Sequence, residues 1–554
     1  TLGKNVFLFD PQMNMKDIQN LIDTIYAKQV SRGSEFNENR FALLFKPGKY
    51  NLDIKVGYYM HILGLGENPE DVIITGAVRS KSTHKDGHVL TNFWREAENL
   101  TVIPTVEPAN VWAVSQAAAL RRIYIKGDLQ LHDNGYSSGG FLADSKIEGT
   151  VIAGSQQQWF TRDTELQKWT GGSWNLLFMG VPGAPASNWP KGPVTTLEKV
   201  PAIREKPYLI IKQGKFFVKI PDIKLNTSGP GWLNGHKDKK TVSLEKFYIV
   251  KPGCIADSIN LALQKGRNLL FTPGIYKLDK SIQVTRPGTI ITGLGMATLM
   301  PTKGNLAMEV SDIDNVTICG LLFEAGKNHS ETLLQVGKPD SHKDHAVSPT
   351  LLSDVFFRVG GATEGSANSC LTINSNNVCV DHTWLWRADH GNGVGWDRNK
   401  CANGLIVNGD HVLIYGLFNE HFQEYQTLWN GNHGRLYFYQ SEMPYDPANI
   451  DAWKHDGIGG YASYKVSDKV TTHEAWGLGI YCYFPALPMI MNNAIETPQN
   501  LENDIHHKMI LWLNGNKESK ILNIINDKGG SVSPSNRSIR MERYKLNGRS
   551  LLRR

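Results

Sequence analysis

The sequence predicts an all-β protein built from two tandem right-handed parallel β-helix domains, each opened by an amphipathic helix that caps the solenoid. Three observations carry this. First, residues 43–50 read LLFKPGKY and residues 269–276 read LLFTPGIY, and each is followed at nearly the same distance by GLG, at 64–66 and 293–295. Self-similarity at so long an offset marks a duplicated unit. Second, after each GLG the chain breaks into short apolar runs such as DVIITG, LRRIYIKG, NVTICGLLF and GLIVNGDHVLIYG, punctuated by Gly, Asn and Asp. Such runs suit coils whose inward side chains stack on the coil below. Third, Asn-Gly hairpin signals are sparse, which disfavours the alternative, a pair of β-sandwiches.

The elements follow in order. MKDIQNLIDTIYAKQ, at 15–29, spaces its apolar residues by three and four, a helix that covers the open end of the first coil and shields its edge strands. Residues 1–200 then form the first β-helix domain. Residues 201–247 are a Lys- and Gly-rich connector, in which YLIIKQGKFFVKI alternates like a hairpin with Gly at its turn. IADSINLALQKG repeats the helix, and residues 248–554 form the second β-helix domain.

Composition narrows the function. The chain has 554 residues, 41% of them hydrophobic and 20% charged, with 53 Gly, 14 Trp and 19 Tyr, the make-up of a turn-rich globular protein. No apolar run is long enough for a membrane helix, so no membrane is expected as partner. The net charge of +6 is spread without a basic stripe, so neither is nucleic acid. The six cysteines, Cys254, Cys319, Cys370, Cys379, Cys401 and Cys482, show no CxxC spacing and read as isolated buried thiols. No acidic cluster has calcium-loop spacing, and neither a metal nor another cofactor is expected. The chain begins at Thr1, as a mature protein does once a leader is removed. Sequons at Asn99, Asn226, Asn315, Asn328 and Asn536 fit a secreted, extracellular or periplasmic protein, and a monomer is expected.

Two acids focus the chemistry. Glu420, in FNEHFQEYQ, and Glu442, in QSEMPYDP, lie 22 residues apart. One coil of that length stacks them on adjacent rungs, about 4.8 Å apart along the solenoid axis. Two carboxylates so close cannot both ionise cheaply, and a protonated acid beside an ionised one serves glycosidic bond cleavage. Tyr425, Trp429, Tyr437, Tyr439 and Tyr445 offer rings for sugar stacking, and Asn419, His421, Gln423, Gln426 and Gln440 offer hydroxyl partners. The opposite reading fits the spacing equally: the aromatics fill the solenoid and the acids face solvent.

Longer motifs separate these readings. WLWRADH (384–390), GLIVNGDHVLIYGLFNEHFQEYQ (404–426) and QSEMPYDP, in this order and spacing, resemble the glycoside hydrolase family 55 β-1,3-glucanases. SQAAALRRIYI (115–125), NGYSSGGFLAD (134–144), GSQQQ (154–158) and DVFFRVGG (354–361) extend the resemblance, which is strongest over 350–450 and weak after 500. It implies pectate-lyase-like β-helices side by side, a β-glucan substrate cleaved with inversion, and an active site in the cleft between the domains. It also implies Glu442 as general acid, Glu420 as its acidic neighbour, and Gln116 and Ser138 as the groups holding the attacking water. Gln156 is raised by the resemblance above an ordinary coil corner. One-rung stacking by itself points to the shorter carboxylate separation of retaining enzymes, about 5 Å.

Loops are where the chain departs from that family. EMPYDP replaces a more aromatic continuation, and RADHGNGVGWDRN is its own version of the loop after Asp389–His390. There Trp396, preceded by glycines, reads as a sugar platform. Asp389 and His390 either orient substrate or pin their loop, and Trp384 and Trp386 read as rings stacked inside the coil. Asp446 and Glu424 read as structural acids. Other classes compatible with a β-helix are a hydrolase of another linkage, a polysaccharide lyase, which requires a Lys, Arg or Tyr base, and a non-catalytic carbohydrate-binding solenoid.

Overall fold

The computed structural model describes residues 2–233 and 240–542. Residue 1, residues 234–239 of the expected connector and residues 543–554 of the expected second domain lie outside the described residues. The first half winds from Val6 to Leu197, and its main sheet passes through nine parallel strands from Val6–Phe9 to Val194–Leu197. The second half begins at Phe247–Val250 and carries two long sheets and a two-stranded antiparallel one, Lys454–His455 with Ile458–Gly459. One of the long sheets runs through nine parallel strands from Ile282–Val284 to Lys520–Ile525. The other runs parallel as far as Ile505–Gly515 and ends on an antiparallel strand, Ser538–Met541. The apolar runs are continuous because the strands are buried on both faces. In Phe41–Phe45, for instance, Leu43 and Phe45 point into the coil while Ala42 and Leu44 pack outward against the connector and the second half.

Both capping helices form where the periodicity places them. Helix α1 (Met15–Gln29) is capped by Asn14, whose side chain accepts from the amides of Lys16 and Asp17, and it lays Ile18, Ile22 and Ile25 on the strand Gly48–Lys55. Helix α2 (Ala256–Gln264) buries Ile259, Ala262 and Leu263. The repeat extends to single hydrogen bonds. Tyr50 donates to the carbonyls of Phe9 (3.2 Å) and Lys46 (2.8 Å), and Tyr276 donates to those of Val250 (2.8 Å) and Thr272 (2.7 Å). Each tyrosine meets a phenylalanine edge-on, Phe45 at 5.2 Å and Phe271 at 5.0 Å.

Between the halves, Tyr208–Lys212 and Lys215–Ile220 pair as the expected hairpin, turning at Gly214 with φ +73°. Its Leu209, Val218 and Ile220 join Leu44, Leu63, Leu270 and Leu294 in one core, so the connector packs against both solenoids. The halves meet through their outer sheet faces. A fully buried ionic network crosses that contact: Arg121 donates to Asp354 (2.7 and 2.9 Å) and Asp381 (2.7 Å), and Arg162 to Asp381 (2.7 and 2.9 Å) and Glu205 (2.6 and 2.7 Å). Beside it lies a cluster that includes Phe93, Trp94, Phe141, Phe160, Trp384, Trp386, Phe418 and Phe438. Trp384 and Trp386 do share a face, but it is the outer one; Leu385 between them points into the coil, and the expectation of rings stacked inside the solenoid is corrected. The cysteines are free thiols, buried except for Cys254, which is half-buried.

Candidate active site

The strands Leu413–Glu420 and Gly434–Glu442 pair in parallel with Glu420 directly opposite Glu442. Alternation decides which side chains leave the coil. Leu417 and Tyr439 point inward, while Phe418, Glu420, Gln440 and Glu442 point outward toward the first half. From that half, the corner before the strand Ala118–Ile125 delivers Gln116, whose Nε2 donates to Glu420 Oε1 at 2.9 Å. The next corner delivers Ser138, whose Oγ accepts from Gln158 at 3.0 Å. That corner can approach because Gly139, at φ +115°, has no Cβ; one would sit 2.9 Å from the Phe418 ring.

A cavity of about 650 Å³ opens over these groups. Gln116, Ser138 and Gln157 line it from the first half, and Trp386, Asp389, Glu420, His421, Glu442 and Tyr445 from the second. Leu90, Tyr136, Trp174, Trp512 and Arg537 extend its walls. Glu420 is 3% exposed, and its two oxygens take three hydrogen bonds: from Gln116, from Gln440 Nε2 (2.6 Å) and from Trp384 Nε1 (2.9 Å). Glu442 is more open. It accepts from the Tyr445 hydroxyl and, at 3.3 Å, from Gln440.

Burial and the facing charge of Glu442 hold the Glu420 carboxyl well above the ordinary carboxylate range, against the pull of Gln440 and Trp384. Burial also raises Glu442, while His421 and the Tyr445 hydroxyl pull it down. The two acids therefore titrate as one coupled unit that retains a proton above the ordinary carboxylate range. The turn carrying Tyr445 is fixed by Arg387, which grips Asp446 with two hydrogen bonds of 2.8 and 2.9 Å. His421 lies against Tyr445 at 4.3 Å and its Nδ1 is 2.9 Å from the Met443 carbonyl.

Four of the expected substrate contacts lie elsewhere. Gln156 is fully buried, its carboxamide tied to the backbone of Val114, Leu131, Gly139 and Gln157, and it is the neighbouring Gln157 that reaches the cavity. Gln440 stands behind the acids and bridges them, with no exposure of its own. Trp396 packs on the solenoid core beside Arg387, and Tyr425 packs against His455 and Tyr461. Of the five aromatic residues expected to stack on sugar, Trp429 and Tyr439 fill the coil, Tyr437 lies on its outer face, and Tyr445 lines the cavity. Sequence reasoning missed Trp174, Trp512 and Arg537, which have no motif. It missed Tyr136 although that residue stands two positions before Ser138.

Elsewhere, His61, Glu96 and Glu98 bring ligand atoms within 4.8 Å of one another, all buried. The Lys206 ammonium already sits among them, in contact with Glu96 and 3.3 Å from Glu98, and takes the place a cation would occupy.

Residues 247–442 match the LAM55 pectate lyase-like domain. The chain is 46% identical over 536 residues to an exo-β-1,3-glucanase of Streptomyces sp. SirexAA-E, covering 96% of this chain and 87% of that protein. The structure of sacteLam55A from that organism superposes with a TM-score of 0.95 at 44% identity, covering 98% of both chains. A glutamate-to-alanine variant of sacteLam55A in complex with glucose superposes with a TM-score of 0.94, also at 44% identity and 98% coverage of both chains. Motifs, fold and relatives together make this chain a member of glycoside hydrolase family 55.

Proposed function

We propose that the protein is a secreted, monomeric exo-β-1,3-glucanase that cleaves with inversion in the cavity between its two solenoids. The observation that carries this reading is the pairing of Glu420 and Glu442 on adjacent rungs, one wrapped in donors and the other open to the cavity. Glu442 donates its proton to the departing glycosidic oxygen, and Tyr445, Gln440 and His421 stabilise the carboxylate left behind. Glu420, with both oxygens occupied, is a poor nucleophile, which favours direct attack by water over a glycosyl-enzyme. Gln116 spends its N–H on Glu420 and keeps a carbonyl to accept from that water; Ser138 accepts from Gln158 and keeps a hydroxyl proton to donate. With the pair's single proton on Glu442 when the bond breaks, Glu420 is a carboxylate; it takes the water's proton through Gln116 and passes it back to Glu442 to close the cycle.

Exo action is taken from the relative's activity. Secretion is supported by the size of a glucan, which is met outside the cell, and by exposed sequons at Asn226, Asn328 and Asn536; Asn99, by contrast, is buried. A monomer is favoured because both walls of the cavity come from one chain. The test is Glu442→Gln on laminarin. Reducing-sugar release is expected to fall by about 10²–10⁴-fold with an unchanged circular dichroism spectrum, and undiminished turnover would end the assignment.

A further inference from the structure

The chain leaves the coil directly after Glu442. Met443 makes the last rung bond, from its amide to the Tyr481 carbonyl at 3.1 Å. Pro444 and Pro447 follow, neither with an N–H to give. Among the described residues, 444–448 make no main-chain hydrogen bond. Two side chains hold this stretch instead: the Tyr445 hydroxyl bonds Glu442, and Asp446 pairs with Arg387. Tyr445 also meets His421 and, edge-on at 4.9 Å, Tyr483.

Arg387 is fully buried, and all five of its N–H groups are used. Besides Asp446 they reach the carbonyls of Asn399 (2.8 Å), Gly395 (3.2 Å) and His421 (3.2 Å). The His421 amide in turn donates to the Glu442 carbonyl at 2.9 Å, and its Nδ1 is 2.9 Å from the Met443 carbonyl. Two arms therefore run from one guanidinium to the acid. One passes through His421 to the main chain of Glu442; the other passes through Asp446 and Tyr445 to its side chain. Asp446 is the one carboxylate paired with Arg387 among the described residues, and its side chain is 30% exposed. It belongs to EMPYDP, a stretch in which this chain departs from the rest of its family.

We propose that Arg387 and Asp446 are positioning residues for the proton donor, their ion pair holding the Tyr445 hydroxyl against the Glu442 carboxyl; this rests on the reading of Glu442 as general acid. Without the pair, a turn that lacks main-chain bonds swings free and Glu442 loses a donor that stabilises its carboxylate. The ionisable groups facing Glu442 are Glu420 and His421 on the rung before it, Tyr481 on the rung after it, Asp389 and His390 in the loop beyond Arg387, and Arg537 across the cavity. Loosening Asp446 leaves all of these in place and withdraws Tyr445 alone. Burial then raises the Glu442 pKa with less to oppose it, and the alkaline limb of the pH–rate profile, where the acid loses its proton, moves to higher pH.

The test is Asp446→Asn and Asp446→Ala on laminarin, with Asp446→Glu as the conservative variant. Asn and Ala are expected to lower kcat about 10-fold and to move the alkaline limb of kcat/KM up by about half a unit, whereas Glu retains most of the wild-type kcat and the wild-type limb. Should Ala fail to fold, Asn, which keeps the size of the side chain, carries the test. Wild-type kcat and an unmoved limb in the Asn variant, even with a lowered Tm, overturn the proposal alone and leave the pair a purely structural one. A wild-type protein inert on laminarin, or undiminished turnover by Glu442→Gln, overturns it together with the general-acid reading.

Discussion

The two solenoids repeat each other inside and differ outside. Tyr50 and Tyr276 make the same bonds to the same coil positions, and each half starts with a helix laid on its first coil. Where the halves face the cavity, the first offers neutral groups, Gln116, Ser138 and Gln157, and the second offers acids, Asp389, Glu420 and Glu442. Inward side chains are held by stacking, coil on coil, whereas outward ones at the corners answer only to what lies opposite. Duplication therefore supplied two similar walls, and the chemistry arose from making their outward residues unlike.

If the two walls act as one unit, cutting what joins them should have the largest effect. Asp381→Asn withdraws the carboxylate shared by Arg121 and Arg162 and is expected to cost about 3–5 kcal/mol of stability, seen as a lowered denaturant midpoint. A midpoint unchanged from wild type would mean that the halves hold together without their ionic network. A smaller effect, confined to turnover, is expected from the neutral wall. Gln116→Ala should lower kcat about 10²-fold by releasing both Glu420 and the water, with KM nearly unchanged; a change in KM alone would make Gln116 a binding group.

The smallest effect is on stability against pH. Burial holds the folded-state pKa of Glu420 above its unfolded value, so between the two the native protein binds the extra proton and wild-type stability falls as pH rises. Glu420→Gln removes that dependence. The difference in Tm between variant and wild type should therefore move in the variant's favour from pH 4 to pH 8, whereas parallel curves would mean that Glu420 titrates as an ordinary surface carboxyl.

Spacing made the acid pair legible, because a coil of 22 residues closes one rung and brings 420 over 442 whatever else the loops do. The helices and the hairpin were equally legible, being local patterns. Facing was not. Gln156 and Gln157 differ only in which side of the corner they take, and Trp384 and Trp386 share a face that is buried only because a second solenoid covers it. Trp396 has the glycines of an exposed loop, yet Arg387 and the core draw it in. His390 Nε2 lies 2.7 Å from Glu35 Oε1, yet the two residues are 355 positions apart, and no window of sequence contains both.

The central claim is that Glu442 gives its proton to the departing oxygen, and leaving-group dependence tests it most directly. Rates of Glu442→Gln and wild type should be compared on laminarin, whose leaving sugar needs that proton, and on a 2,4-dinitrophenyl β-glucoside, whose phenolate does not. The account predicts a loss of about 10²–10⁴-fold on laminarin and less than about 10-fold on the activated glucoside. Equal losses on both would contradict it.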